Sequence, residues 1–338
     1  MIEGRATYAG AGVDIEAGDK AVALIRDAVR STYRPEVVGD IGGFGGMFAL
    51  RAADYDQPVL VSSTDGVGTK AMVAAAAHRY GTIGIDLVAM CVDDIVCQGA
   101  EPLFLLDYLA VGKLDPETAA EIVEGVAEGC RRAGCALLGG EMAEHPGTTA
   151  PGEFDLSGFA VGVVERSEML GRDRVRPGNK LVGLASPGLR CNGYSLARQV
   201  LGDEPAATDV LLEPSVVYAP AVLAVKQALG PGLHAAAHIT GGGLVGNVPR
   251  ALPDDADAVL DGRTWEVPEV FGRIRRAGRV DVGEMTRVFN LGLGMVLAVA
   301  PGSEERVVEV LEGAGCPAAV VGEVVAGSGE VRIEGLAL

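Results

Sequence analysis

The sequence predicts a two-domain protein that mixes helices and strands, in α/β or α+β layering. Three observations carry this. The 338 residues exceed what one small core needs, so two units of roughly 150–170 residues are the natural division. Hydrophobic residues make up 49%, enough to bury a core and to exclude global disorder. Short apolar runs alternate with helically spaced ones along both halves. A charged segment holding Pro-Gly, 165–180, marks the boundary and divides the chain into 1–166 and 167–338.

The elements follow in order. Residues 17–32 read as an amphipathic helix, with Val22, Ile25 and Val29 near helical spacing. A glycine-rich stretch occupies 39–46. Pro58 to Ser62 is a short buried strand that runs into Thr64-Asp-Gly-Val-Gly-Thr-Lys70. A helix is expected over 82–98, a strand over 103–111 and a helix over 116–133. A strand at 135–138 stops at Gly139-Gly140-Glu141, and 154–164 closes the first half as a strand. The second half opens with a strand at 181–185, then a loop and a helix from Asn192. Residues 216–229 read as helix, and 234–239 are extended and end at Thr240-Gly-Gly-Gly243. From Gly292 the order is strand, helix (303–313) and two strands.

Composition narrows the function. Asp and Glu number 46 against 28 Lys and Arg, for a net charge of −18. This opposes nucleic-acid binding and an anionic membrane surface. An acidic protein that handles anionic substrates needs bound cations to reverse the local field. The six cysteines form no CxxC pair and read as reduced thiols of a cytoplasmic protein. Residues 1–14 contain no apolar secretory core, and no stretch reads as a membrane span. The four histidines lack zinc-site spacing. The 49 glycines show no collagen period, so they serve turns, close packing or backbone cradles.

Four motifs could carry chemistry. Thr64 to Lys70 follows a strand and opens a helix. It is either an anion cradle, with Asp65 as metal ligand and Lys70 as phosphate contact, or a tight turn capped by Asp65. On the helix that follows, Asp86 reads as part of a solvated stripe. Asp93 and Asp94 lie in an apolar run and need either a cation or solvent. Gly139-Gly140-Glu141 is a glycine turn or, near Asp65 and Asp94, the third part of an oxygen-rich Mg²⁺ site. Thr240 to Gly243 is a phosphate cradle or a tight turn. Asp107, at the end of an apolar run, either faces a ligand or caps a turn, and the turn cap is the favoured reading.

Together these stretches resemble the phosphoribosylformylglycinamidine cyclo-ligase (aminoimidazole ribonucleotide synthetase) family. The matching runs are Ala9 to Ile15, Gly42 to Gly46, Thr64 to Lys70, Thr82 to Met90, Asp94 and Gln98 to Phe104. They continue with Asp107-Tyr108, Gly112-Lys113, Ala127 to Cys130, Gly139 to Glu141, Asn192 to Leu196, His238 to Gly243, Asn247 to Pro253 and Phe289-Asn290. They span nearly the whole chain in family order.

The resemblance implies the two-domain ATP-binding fold of that superfamily. Its N-terminal sheet pairs across a homodimer and its C-terminal half is an α/β sandwich. The implied reaction is ATP-dependent ring closure of formylglycinamidine ribonucleotide through an iminophosphate, in purine biosynthesis. Phosphorylation turns a poor amide-oxygen leaving group into a good one. The resemblance also implies that Asp65, Asp94 and Glu141 ligate Mg²⁺–ATP, with Asp93 as a further candidate, and that Lys70 contacts phosphates. Gly68, Thr69, Gly139 and Gly140 would approach the nucleotide. Asn192, Gly193, Thr240, Gly241, Gly242 and Gly243 would hold substrate or phosphates. The sequence departs from the family pattern at Arg190-Cys191 (usually His-Ser), Asp93 (Asn), Met142 (Thr) and Leu291 (Cys). These departures leave open a paralogue that closes a related ring. Among other superfamily members, a selenophosphate synthetase would carry an early reactive Cys, and the hydrogenase maturation protein a C-terminal one.

Overall fold

The computed structural model describes residues 12–202 and 205–338. Ala9, Gly10 and Ala11 of the first family stretch lie outside the described residues.

Helix α1 (Ile15–Arg30) starts where the Asp14 side chain accepts from the N–H groups of Glu16 and Ala17, the usual way to satisfy a helix's first donors. A small ribbon, β1 (Val37–Val38) with β2 (Met47–Phe48), brackets the glycine-rich stretch. Strand β3 (Pro58–Gly66) leads to α2 (Lys70–Ala77) and α3 (Ile83–Val96). Strand β4 (Glu101–Val111) is followed by α4 (Pro116–Ala133). That helix has Asp115 as N-cap, Pro116 in its first turn and Gly134 at φ +72° beyond its end, the boundary chemistry visible in the sequence. Strands β5 (Ala136–Glu144) and β6 (Phe154–Glu165) complete a four-stranded sheet of order β3-β6-β4-β5. Strand β5 does not stop at Gly139-Gly140 as expected, but runs through both glycines in parallel register with β4. Ladder bonds held by the neighbouring strand override the weak strand propensity of glycine.

Helices α1, α3 and α4 cover one face of this sheet. On its strands, Leu60, Tyr108 and Phe159 remain exposed.

The second half begins with β7 (Lys180–Ala185), α5 (Tyr194–Leu201), α6 (Pro205–Leu211) and α7 (Ala219–Leu229). It continues with β8 (Leu233–His238), α8 (Gly243–Asn247), β9 (Ala256–Asp261), α9 (Glu269–Gly278) and α10 (Val282–Val288). Strand β10 (Leu293–Val299), α11 (Glu304–Gly313), β11 (Ala318–Ala326) and β12 (Val331–Glu334) finish it. The six-stranded sheet has the order β12-β9-β11-β7-β10-β8. Its two faces enter different cores. Met295, Leu297 and Val299 of β10 pack with α7 and α11, whereas Leu293, Val296 and Ala298 pack with α5 and α9. Two-residue alternation on a strand buried on both faces produces this split. The second half is therefore the expected sandwich. The first core is continuous with the helices of the N-terminal sheet, so the halves pack against each other through α3 and α7.

Candidate functional site

Helix α3 is buried on nearly every side, and it carries Asp86 and Asp93 into the junction between the halves. Asp86 is not on a solvated stripe. It is fully buried, 2.7 Å from Lys70 Nζ, and it accepts from the N–H and hydroxyl of Ser215. Lys70 is also fully buried and donates to the carbonyls of Arg190 and Glu213. The ammonium is thus held by an ion pair to Asp86 and by two hydrogen bonds to carbonyls. Against the expectation of an open phosphate contact, Lys70 lies inside the junction and is paired with Asp86. It locks the start of α2 to the second half.

About two turns further on, Asp93 accepts from Arg190 and from the N–H groups of Tyr218 and Ala219, at 2.7, 2.8 and 2.9 Å. Those two N–H groups open α7, so Asp93 acts as the cap that α7 does not carry in its own sequence. Burial raises the Asp93 carboxyl, and the Arg190 guanidinium and His238 oppose that. Every partner donates, which suits the ionised acid. Burial lowers the Arg190 guanidinium, and Asp93 with Tyr218 and Cys191 together more than offset it.

Asp94 turns the other way. Its Oδ1 lies 2.8 Å from His238 Nδ1 and its Oδ2 accepts from Ser63, yet its side chain remains 38% exposed. Burial pushes its carboxyl up, and the bonds from His238 and Ser63 pull it below the ordinary value. Asp65, at the end of β3, is raised by burial and by the Asp94 charge. It accepts from the N–H of Gly66 and does not cap α2, whose N-cap is Thr69. Two partly open carboxylates that repel each other form an oxygen donor set suited to a hard divalent cation.

Glycine loops from both halves meet beside them. Exposed Gly68 lies against the carbonyl of Cys191, and exposed Gly241 lies against the Asn192 amide. The Asn192 Oδ1 is buried without a partner. Gly193, at φ +78°, caps α5. The Thr240 to Gly243 loop is shaped by Asn247, whose Nδ2 donates to the carbonyls of Thr240, Gly241 and Gly243. Gly242 caps α8 and Gly243 begins it. Asn247 Oδ1 in turn accepts from the exposed Arg250, and Arg250 lowers the Asp94 carboxyl.

A cavity of about 610 Å³ lies in the first half, lined by Gly42 to Gly46, Asp107, Gly139, Gly140 and Glu141. Asp107 does not cap a turn. It sits within β4, and burial pushes its carboxyl up to about 7. Gly140 is obligatory beside it, because a Cβ there would stand 1.8 Å from Asp107 Oδ1.

The structure thus brings Asp65 and Asp94 together with Gly68, Thr69, Asn192 and the 240–243 loop. Glu141, Gly139 and Gly140 line the cavity instead. Among the described residues no three His, Cys, Asp or Glu side chains converge as a ligand set. Of the departures, Cys191 and Leu291 are buried and Met142 is half-buried against the core. Sequence reasoning missed His238, Asn247 and Arg250. Their signal lay in the runs His238 to Gly243 and Asn247 to Pro253, where a polar side chain flanks the glycines.

Two family models match the chain. AIR synthase related protein, N-terminal domain, covers residues 49–164, and the corresponding C-terminal domain covers 176–334. The phosphoribosylformylglycinamidine cyclo-ligase of Anaeromyxobacter sp. (strain Fw109-5) is 54% identical over 97% of this chain and 98% of that protein. The protein of the same name from Myxococcus xanthus (strain DK1622) is 52% identical over 96% and 97%. Among solved structures, thiamine-monophosphate kinase from Stenotrophomonas maltophilia K279a superposes with a TM-score of 0.67 at 18% identity, over 93% of this chain and 97% of that one. Hydrogenase maturation protein HypE in complex with ATP gives 0.66 at 18%, over 94% and 91%. At these identities the structural likeness establishes the fold alone.

Proposed function

We infer that this chain, which belongs to the AIR synthase family, is an ATP-dependent cyclo-ligase that converts formylglycinamidine ribonucleotide to aminoimidazole ribonucleotide. The observation that carries this reading is the meeting, at the junction of the halves, of the Asp65–Asp94 carboxylate pair with glycine loops from both sides. The γ-phosphoryl of ATP passes to the amide oxygen and ADP leaves. The amidine-side nitrogen attacks the activated carbon and expels phosphate with that oxygen, and loss of a proton leaves the imidazole ring.

The residues fit Mg²⁺–ATP. Asp65 and Asp94 offer hard oxygens with too little positive charge nearby to balance them, and the ion would neutralise charge developing on the transferred phosphoryl. Asp65 and Asp94 would hold it, with Glu141 joining from the cavity side. Gly68, Thr69, Gly139 and Gly140 let the nucleotide approach the backbone. Asn192, through its unpartnered Oδ1, would take a donor of the substrate. Gly193 and the 240–243 loop would seat its ribose phosphate, with Arg250 as the exposed cation beside it. We place the domain division between residues 166 and 167.

A second copy would cover the exposed apolar side chains Leu60, Tyr108 and Phe159 and make the homodimer. Among the described residues no helix is long and apolar enough to cross a membrane, and we assign the protein to the cytoplasm with purine biosynthesis.

The test follows ADP and aminoimidazole product together with formylglycinamidine ribonucleotide as substrate. Equimolar formation of both is expected. ATP turnover only with another amide would replace this reading with the paralogue.

A further inference from the structure

Arg190 is a buried cation on a backbone that few residues adopt. Its φ is +61°, a left-handed conformation that is unfavourable for a long side chain. An observed outlier of this kind suggests that the position is held for a purpose. The two terminal nitrogens of its guanidinium are held, while Nε is buried without a partner. Nη1 donates to the Val216 carbonyl, Nη2 to Asp93 Oδ2, and the guanidinium lies over the Tyr218 ring, 4.8 Å from its centroid. Nη2 also stands 2.9 Å from His238 Nε2.

That last contact has a chemical consequence. A guanidinium only donates, so Nε2 of His238 must accept. The imidazole proton is then on Nδ1, 2.8 Å from Asp94 Oδ1. A ring whose far nitrogen is fixed presents a fixed hydrogen bond at the near one, the logic by which outer groups orient the inner ligands of a metal site.

We propose that Arg190 is a positioning residue. Through His238 it aims the Asp94 carboxylate into the site, and Asp93 is its matched counter-charge, so that 190 and 93 form one exchangeable unit. A change at either of these two positions then calls for a matching change at the other. Histidine is among the residues enriched at left-handed backbone positions, and a neutral Asn at 93 would still accept from the N–H groups that open α7. The proposal rests on the proposed reaction only for the role of Asp94.

The deciding measurement is ¹⁵N NMR of the histidine-labelled full chain, which has four histidines, with His238→Gln to assign the signal. A fixed Nδ1–H tautomer for His238 is expected, and the Nε2–H tautomer or an averaged pair overturns the proposal. This result needs no substrate, so failure of the cyclisation assay is distinguishable from failure here. The double variant Arg190→Met/Asp93→Asn removes both charges together. It should release the tautomer and lower kcat about tenfold or more with KM for the ribonucleotide nearly unchanged. Arg190→His/Asp93→Asn should restore kcat to within about threefold of the parent. Parental kcat in the Met/Asn variant, or no recovery in the His/Asn variant, overturns the proposal. If the Met/Asn variant fails to fold, the parent's tautomer decides.

Discussion

The junction between the halves and the cavity of the first half treat buried charge in opposite ways. At the junction each deeply buried ion has a partner. Lys70 faces Asp86, and Arg190 faces Asp93, all essentially without solvent. In the cavity burial raises Asp107, among the described residues no cation offsets it, and Glu141 stands open beside two glycines. Between these extremes lie Asp65 and Asp94, partly matched and partly open. A fully matched charge has no capacity left for a ligand and serves the fold or the aim of a neighbour. An unmatched carboxylate at an opening is where an incoming cation gains most.

Breaking a matched pair should give the largest effect. Lys70→Met leaves Asp86 buried alone and should cost about 3–5 kcal/mol of stability in urea unfolding. If it instead raised KM for ATP with stability intact, Lys70 would belong to the open class. Next come the half-matched carboxylates. Asp65→Asn should leave the thermal midpoint near that of the parent and lower kcat by about 100-fold or more. Glu141→Gln should do the same, and normal turnover in either variant removes it from the ligand set. Gly140→Ala forces Asp107 aside and should cost about 2–3 kcal/mol, with weaker nucleotide binding by calorimetry.

The smallest effect tests the unmatched charge itself. The folded Asp107 holds its proton to about pH 7, whereas the unfolded chain releases it near pH 4. The folded state therefore binds the extra proton between those values, and its stability falls as pH rises from about 4 to 7. Asp107→Asn removes that slope and should be more stable than the parent above pH 7, as read by urea unfolding across the pH range. A parent profile that rises over the same window would show that Asp107 has a cation partner.

Much of the fold was legible. The α4 helix coincides with its expected bounds because Asp115, Pro116 and Gly134 mark both ends locally. Strands β4, β6, β7 and β10 appear where apolar runs required burial. The glycine motifs were legible as places where backbone comes close to something, and Asp65 and Asp94 as carboxylates near each other. Asp86 was misread, although a clue was present. Helix α3 is apolar all round, so a carboxylate on it is buried and must be paired. The chain has few lysines to pair it, and Lys70 was already given another role.

By itself the sequence determined the two-layer alternation, the helix ends, the family and which carboxylates and glycines are candidates for its site. These depend on local spacing and on which side chains are present. Only the tertiary structure decided which charges find partners. Lys70 meets Asp86, and Arg190 meets Asp93 and His238, across separations of 16, 97 and 48 residues. Coulomb and hydrogen-bond energies act over a few ångströms of space rather than along the chain. The same carboxylate is therefore a ligand or a brace according to what the fold sets beside it.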